Sequence, residues 1–386
     1  MNFDFEHFKQ LTSDWTLGTP QLSKPEQGKG AAKLQKGRRP KSIGATTAER
    51  RRFSRRVWTA EKRRILRGGA PRRHLARQGR VFWIKVKAPG MIDVFNAQNR
   101  IATVNFFADL RANSRRAGVG IIVDLSDVRS IRPTGAVMLL AELDRLFRGQ
   151  SAGTIRMFAP DDPIVDAVMC QIGIYESARP LAEAERDDVR HWRSASGVAS
   201  EGEKGGSILE AYEGRLADNL TSDLYAGIVE AMTNTVHHAY AGPQGKDLKR
   251  FIGRRWWMLS QERDGELTVA ICDLGIGIPR SLPRSSTFSS GAVRKIWRTL
   301  GLDNSDASAI RVAVELGRTS TGQKGRGRGL SEIVEAANLS EDGRVLISSN
   351  KGVFVSVEGK SYAHNHSHSI RGTLIHWTVR IADREP

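Results

Sequence analysis

Apolar positions are sparse and aperiodic over residues 1–78, and then fall into alternating strand-like and helix-like runs. VFWIKVKA (81–88) is strand-like, NAQNRIATVNFFADLRANSRRAG has helical spacing, and VGIIVDL (119–125) is a continuous apolar run that predicts a buried strand. TGAVMLLAELDRLFRG predicts a second amphipathic helix closed by Gly149, TIRMFA a third strand, and DPIVDAVMCQIGI a third helix. Together they predict a β/α domain over 79–180. Over 181–206 the periodicity gives way to charge and then to Gly and Ser, which predicts a linker. From 207 to 386 the pattern is that of an α+β unit. Its helix falls around 219–240, and its strands at LTVAICD, RVLISS, GVFVSV and TLIHWTVRI, the last alternating with period two.

A chain of 386 residues exceeds one ordinary domain, in line with two folded units plus extra segments. Charge sharpens this division. Residues 1–80 hold 21 Lys and Arg against 6 Asp and Glu, so +15 of the net +18 lies there and 81–386 carries +3. ERRRFSRR and EKRRILRGGAPRRHLARQGR have few apolar anchors and cannot build a core, which predicts a basic, extended or partly helical arm over 1–78. Such an arm either binds a polyanion such as nucleic acid, with strong salt dependence, or is a solvated tail. No run of eighteen apolar residues exists to span a bilayer, and MNFDFEHFKQ lacks the order of a secretion signal, so a cytoplasmic protein without membrane contact is expected. Cys170 and Cys272 lie in apolar surroundings that suit reduced thiols. The histidine cluster AHNHSHS (His364, His366, His368) reads as an exposed loop rather than a metal site.

The stretch EAMTNTVHHAY places Glu230, Asn234 and His238 at intervals of four, with Leu224, Ile228, Met232 and Val236 on another face. Alone, that is an amphipathic helix. Further on, LTVAICDLGIGIP sets Asp273 at a strand end, with Gly275 and Gly277 after it. Glycines there let the backbone turn and a flat ligand approach, while the carboxylate accepts hydrogen bonds from an amine edge. KGRGRGLSEIVEAAN then offers Gly325, Gly327 and Gly329 before a helical run, a setting in which amides converge on an anion. Neither a Rossmann fingerprint nor a P-loop fits these spacings.

In order and spacing, E-x-x-x-N, D-x-G-x-G, G-x-G-x-G-L and the late Gly372-Thr373 resemble the ATP-binding domain of the GHKL superfamily, with its Bergerat-type α/β sandwich, over 207–386. EAMTNTVHHAY is further similar to the anti-sigma-factor serine kinases. The resemblance implies that ATP is bound with Mg2+ held by Asn234, that Asp273 receives the adenine amine with Thr373 beside it, and that Gly275, Gly277, Gly325, Gly327 and Gly329 shape pocket and lid. It makes Glu230 the general base toward a protein hydroxyl or water. His238 either contacts phosphate or caps the helix end. Lys324 and Arg326 either face phosphates or are exposed lid charges. Residues 280–324 are longer than such kinases suggest.

IIVDLSDVRSIRPTGAVMLLAELDRL resembles the STAS domains of anti-sigma-factor antagonists, over about 80–180. That resemblance implies a phosphoacceptor hydroxyl at Thr134, whose first physical role is an N-cap. Arg132-Pro133 stands where the family usually has Asp-Ser, and a degenerate scaffold is the rival role.

The expected whole is an α/β and α+β chain: a STAS-like β/α domain, then a GHKL ATP-binding domain, with a basic N-terminal arm. Its expected activity is Mg-dependent Ser/Thr kinase signalling toward Thr134, in cis or in a second copy within a homodimer, or toward a regulatory protein partner. The alternatives are an ATP-hydrolysing switch that docks protein or nucleic acid through the arm and the STAS-like domain, and a module that holds ATP without turnover. A gyrase-type machine is not expected, because little chain follows Thr373, and a sensor histidine kinase is not expected, because no phosphoacceptor-histidine helix precedes the ATP unit.

Overall fold

Three parallel strands, β1 (Phe82–Lys87), β3 (Val119–Asp124) and β5 (Ile155–Phe158), form a sheet in that order. They are joined by the helices α1 (Ala97–Ser114) and α2 (Pro133–Gly149), and α3 (Pro163–Gln171) follows. The computed structural model describes residues 82–116, 118–149, 154–175, 189, 191–242, 252–282, 290–319, 329–340 and 342–382. All lie within one unit, Thr59–Pro386, while the other unit, Met1–Trp58, is outside the described residues. The basic arm expected over 1–78 therefore also lies outside them.

Apolar runs explain this first part. β3 is buried along most of its length, as a strand covered on both faces must be. Asn96 caps α1 by accepting from the Gln98 amide, and Asp162 caps α3 ahead of Pro163. Two short strands, β2 (Met91–Ile92) and β4 (Ser130–Ile131), form a small parallel pair that periodicity does not reveal at two residues each. One expectation is corrected: Thr134 is not the N-cap. The Arg132 carbonyl accepts the first helical bond, from the Ala136 amide at 2.8 Å, Pro133 takes the first helical position, and Thr134 sits inside the first turn.

The remainder is built on a seven-stranded antiparallel sheet. Its strands are β6 (Trp192–Gly197), β7 (Trp256–Arg263), β8 (Glu266–Asp273), β9 (Arg344–Ser349), β10 (Gly352–Val357), β11 (Lys360–Asn365) and β12 (Thr373–Arg380), in the order β11-β10-β9-β12-β8-β7-β6. The linker expected over 181–206 needs correction, because β6 lies inside it, paired with β7, and α4 (Gly202–Leu209) begins there. WRSASG carries a single large apolar side chain, so an edge strand held by its backbone leaves no hydrophobic signature. The helix expected around 219–240 is α5 (Asp218–Asn234), continued by one π-helical turn, Thr235–Ala239. Residues 278–319 hold α6 (Ile278–Ser281), α7 (Ser290–Thr299) and α8 (Asp306–Thr319), and α9 (Gly329–Asn338) follows. α7 and α8 share a small core of Val293, Val312 and Leu316, with Leu282 before them.

Both faces of the central strands are buried. One face presents Trp256, Met258, Val269, Ile271, Ile347 and Trp377 to α5, α8 and α9. The other presents Trp257, Cys272 and Ser348 to the helices of the parallel sheet: α2 packs along β7 and β8, and Phe95, just ahead of α1, covers Leu346, Val353 and Val355. The molecule is thus mixed α/β, with α1 and α2 sandwiched between a parallel and an antiparallel sheet.

Candidate functional site

β8 delivers Asp273 to the sheet's helix-covered face, in register with Thr373 on β12 and Trp256 on β7, and Thr373 in turn lies opposite Ser349 on β9. Period-two alternation along each strand therefore brings Asp273, Thr373 and Ser349 to one row. The Asp273 carboxylate is buried and accepts the Gly275 amide at 2.7 Å. Burial raises it to about 6, against the lowering effect of the Gly275 amide and of the Thr373 amide and hydroxyl. The Ser349 and Thr373 hydroxyls are 3.1 Å apart, and the Ser349 oxygen also accepts the Ile278 amide at 2.8 Å.

The loop after Asp273 has no room for a side chain at either of its glycines. A Cβ at Gly275 would lie 2.2 Å from the Ala239 carbonyl oxygen, so close approach alone demands glycine there. Gly277 has φ +80°, and its Cβ would meet the Asn350 and Ser349 side chains. The Ile276 amide donates to Ala239 at 2.7 Å, and the Leu274 amide donates to the Tyr240 hydroxyl at 3.3 Å. The residues at the end of EAMTNTVHHAY are thereby bonded to the loop that follows Asp273.

On α5 itself, Leu224, Ile228 and Met232 are buried as the stripe predicts, whereas Val236 is half-buried. Asn234 donates through Nδ2 to Glu230 Oε1 at 3.1 Å. Burial first, and then the neighbouring Glu332 of α9, raise the proton affinity of Glu230. His238 lies in the π-helical turn. It is half-buried, and burial followed by His237 lowers its proton affinity.

Gly329 opens α9, while Lys324, Gly325, Arg326 and Gly327 lie outside the described residues. Thr134 is buried inside the first β/α part, donating to Asp93 Oδ1 at 3.2 Å. Cys272 is buried, Cys170 is half-buried, and both are free thiols. The histidine cluster is not all loop: His364 belongs to edge strand β11, stacks on Tyr362, and has its Nε2 3.2 Å from that of His366. Among the described residues no group of three or more His, Cys, Asp or Glu side chains could hold a metal ion. Among them, too, no helix is long and apolar enough to cross a membrane.

Sequence reasoning missed Ser349, Asn350, Tyr240 and Glu332. Asn350 donates through Nδ2 to the Ile276 carbonyl at 2.9 Å and so fixes the glycine loop from the far side. The available signal was the Ser-Asn-Lys-Gly turn after RVLIS, where Asn350 takes φ +52°. No protein-family model matches the chain, and no curated protein matches it.

Proposed function

We propose that the chain binds ATP with Mg2+ and transfers its terminal phosphoryl group to a protein hydroxyl, as a Ser/Thr kinase of the anti-sigma-factor type. In this reading a STAS-like region (82–175) precedes a GHKL-type ATP-binding region (191–382). The observation that carries it is the buried Asp273 carboxylate, backed by Thr373 and bonded through its glycine loop to the end of the helix bearing Glu230 and Asn234.

The residues suit the ligands. A carboxylate has acceptor capacity beyond the Gly275 and Thr373 donors, and an adenine amine matches it. Gly275 and Gly277 let the loop beside that carboxylate pack directly on Ala239, Ser349 and Asn350. Asn234 spends its amide N–H on Glu230, which leaves the amide oxygen as the atom suited to Mg2+. Phosphate oxygens and water supply the rest of such a shell, so one protein ligand suffices. The chemistry such a cation would supply there is neutralisation of charge on the phosphates. Glu230, made more basic by burial and by Glu332, takes the proton from the attacking hydroxyl, while Asn234 orients its carboxylate.

Thr134 favours a variant of this reading. It is only 2% exposed, bonded to Asp93, and carried by a helix that packs on the other face of the sheet from Asp273. These facts argue for a hydroxyl on a separate protein, or for water in an ATP-hydrolysing switch whose basic segment 1–80 docks a nucleic acid or protein. Incubation with ATP labelled in the terminal phosphate separates the outcomes. Label on a partner protein, unaffected by Thr134→Ala, supports the kinase acting in trans. Label on the chain that vanishes in Thr134→Ala restores Thr134 as acceptor, and free phosphate alone supports the switch. Absence of ATP binding by the wild-type chain rejects the reading.

A further inference from the structure

Three hydrogen bonds cross from the layer of α1 and α2 into the ends of the strands that carry Asp273, Thr373 and Ser349. Arg111 of α1 donates to the Ile370 carbonyl at 3.1 Å while its Nε holds the buried Glu142 of α2 at 2.7 Å. The Ile370 amide bonds to the Asn350 carbonyl, the Asn350 amide to the Gly372 carbonyl, and the Asn350 side chain to Ile276 in the glycine loop. Arg100 donates to the Ser348 hydroxyl at 3.3 Å, one residue from Ser349. The Cys272 thiol lies 3.6 Å from the Val137 carbonyl of α2, one residue from Asp273. Each bond thus ends on, or within a few residues of, a group lining the candidate adenine site, from the other face of the sheet.

The chemistry of this interlayer is unusual for a permanent core. Arg100 is 1% exposed with its Nε unpartnered, and Glu142 is fully buried between Arg111 and Arg145. Buried ionic groups are costly to desolvate and add little stability over apolar side chains of the same size. They do, however, remain well solvated when a surface opens, which an apolar face does not. At the rim, Asp144 of α2 accepts the Trp257 indole N–H at 3.1 Å and pairs with Arg255. Beside the apolar contact of Phe95 with Leu346, Val353 and Val355, these buried charges and the polar edge at Asp144 suit an interface that opens reversibly.

We propose that docking of α1 and α2 on the sheet and binding of nucleotide on its far side are thermodynamically coupled, each strengthening the other through Arg111, Arg100 and Cys272. This deepens the nucleotide reading and rests on it. The first β/α part is then a regulator of the site: a partner that pulls it away weakens ATP binding, and ATP resists the partner. Reciprocity requires both effects to be the same factor, about tenfold for a typical coupling.

Cys272 supplies the probe, because its thiol is buried by α2 and faces away from the nucleotide, so ATP cannot shield it directly. In the full chain carrying Cys170→Ser, Cys272 is the single thiol. Its alkylation by a maleimide is followed with and without Mg2+ and a non-hydrolysable ATP analogue, alongside hydrogen exchange of the α2 and α5 amides. The expected result is labelling and α2 exchange slowed about tenfold by the analogue. Asp144→Ala, a rim change that leaves Glu142 between its two arginines, should speed labelling, and the analogue should still slow labelling in the variant by the wild-type factor. Arg100→Met should do likewise. Analogue binding that leaves Cys272 labelling unchanged overturns the coupling alone. Labelling that occurs only with global exchange of α5 also overturns it, because no docking equilibrium then exists. Failure of the wild-type chain to bind the analogue by calorimetry overturns the nucleotide reading, and the coupling falls with it.

Discussion

Thr373 and Asp273 face each other across β12 and β8, and both the amide and the hydroxyl of the threonine serve the aspartate carboxylate. The pair holds a charge in a place where burial lifts its pKa to about 6. An adenine amine needs that carboxylate as an acceptor. ATP affinity should therefore be full above pH 6 and fall as pH drops through it, in a titration that Asp273→Asn abolishes. Thr373→Val removes one donor to the carboxylate and should weaken binding about tenfold, from a charged hydrogen bond of roughly 1.5 kcal/mol. Calorimetry from pH 5 to 8 checks both, and a flat profile in the wild type removes Asp273 as the acceptor.

Glu230 acts on turnover rather than binding. Glu230→Gln keeps the hydrogen bond to Asn234 but cannot take a proton, so kcat should fall about 10²- to 10⁴-fold with the Kd for ATP nearly unchanged. Because burial and Glu332 raise its proton affinity, the acid limb of kcat should lie above the ordinary glutamate range. Glu332→Gln removes the like charge and should shift that limb downward. An unshifted limb, or undiminished kcat in Glu230→Gln, removes Glu230 as the base.

Asp273 and Gly275 stand in the sequence where a strand's apolar run stops and turn chemistry begins, whereas Thr373 was singled out only by the resemblance of its Gly-Thr step. The Glu230–Asn234 hydrogen bond follows from helical spacing, and the α5 stripe is buried through Met232. Nothing in TVHHAY announces that the helix ends in a π-helical turn at Thr235–Ala239. β6 was illegible for another reason, since WRSASG pairs through its backbone and buries little. The packing of α2 on the sheet was illegible too. Its apolar face is as expected for any core helix, and only three-dimensional structure shows that the core it joins belongs to the second sheet.

The two loop glycines should fail differently. At Gly275 a methyl group would press on the Ala239 carbonyl and push the loop from the end of α5, at a cost of at least about 2 kcal/mol. Melting should then begin roughly 4 °C or more below wild type. Gly277→Ala meets the Asn350 amide and Ser349 hydroxyl and adds a left-handed backbone, about 1 to 3 kcal/mol more. A shorter side chain at the neighbour relieves only the steric part. Asn350→Ala should therefore partly rescue Gly277→Ala and leave Gly275→Ala unaffected, as thermal melts of the four variants and wild type would show. Equal rescue of both would mean that the Ala239 contact is not what excludes a side chain at Gly275.

His376 should govern acid stability. It lies on β12, opposite Ala270 and Leu346, on the face turned toward α1 and α2, and it is 4% exposed. Burial first, and then the Arg344 guanidinium, lower its pKa from 6.5 to about 4. The unfolded chain therefore binds the histidine proton between these values and the folded chain does not. Stability from this group is present above about pH 6.5 and is lost as pH falls toward 4, by roughly 3 kcal/mol in full. Asp273 works in the other direction, since its raised pKa of about 6 favours the folded state on acidification below that point. Comparing wild type with His376→Gln cancels the aspartate. The gap in unfolding free energy between them should shrink by about 3 kcal/mol from pH 7.5 to pH 4 in denaturant titrations. Parallel curves for the two proteins would mean that His376 is not the group whose protonation opens the sheet.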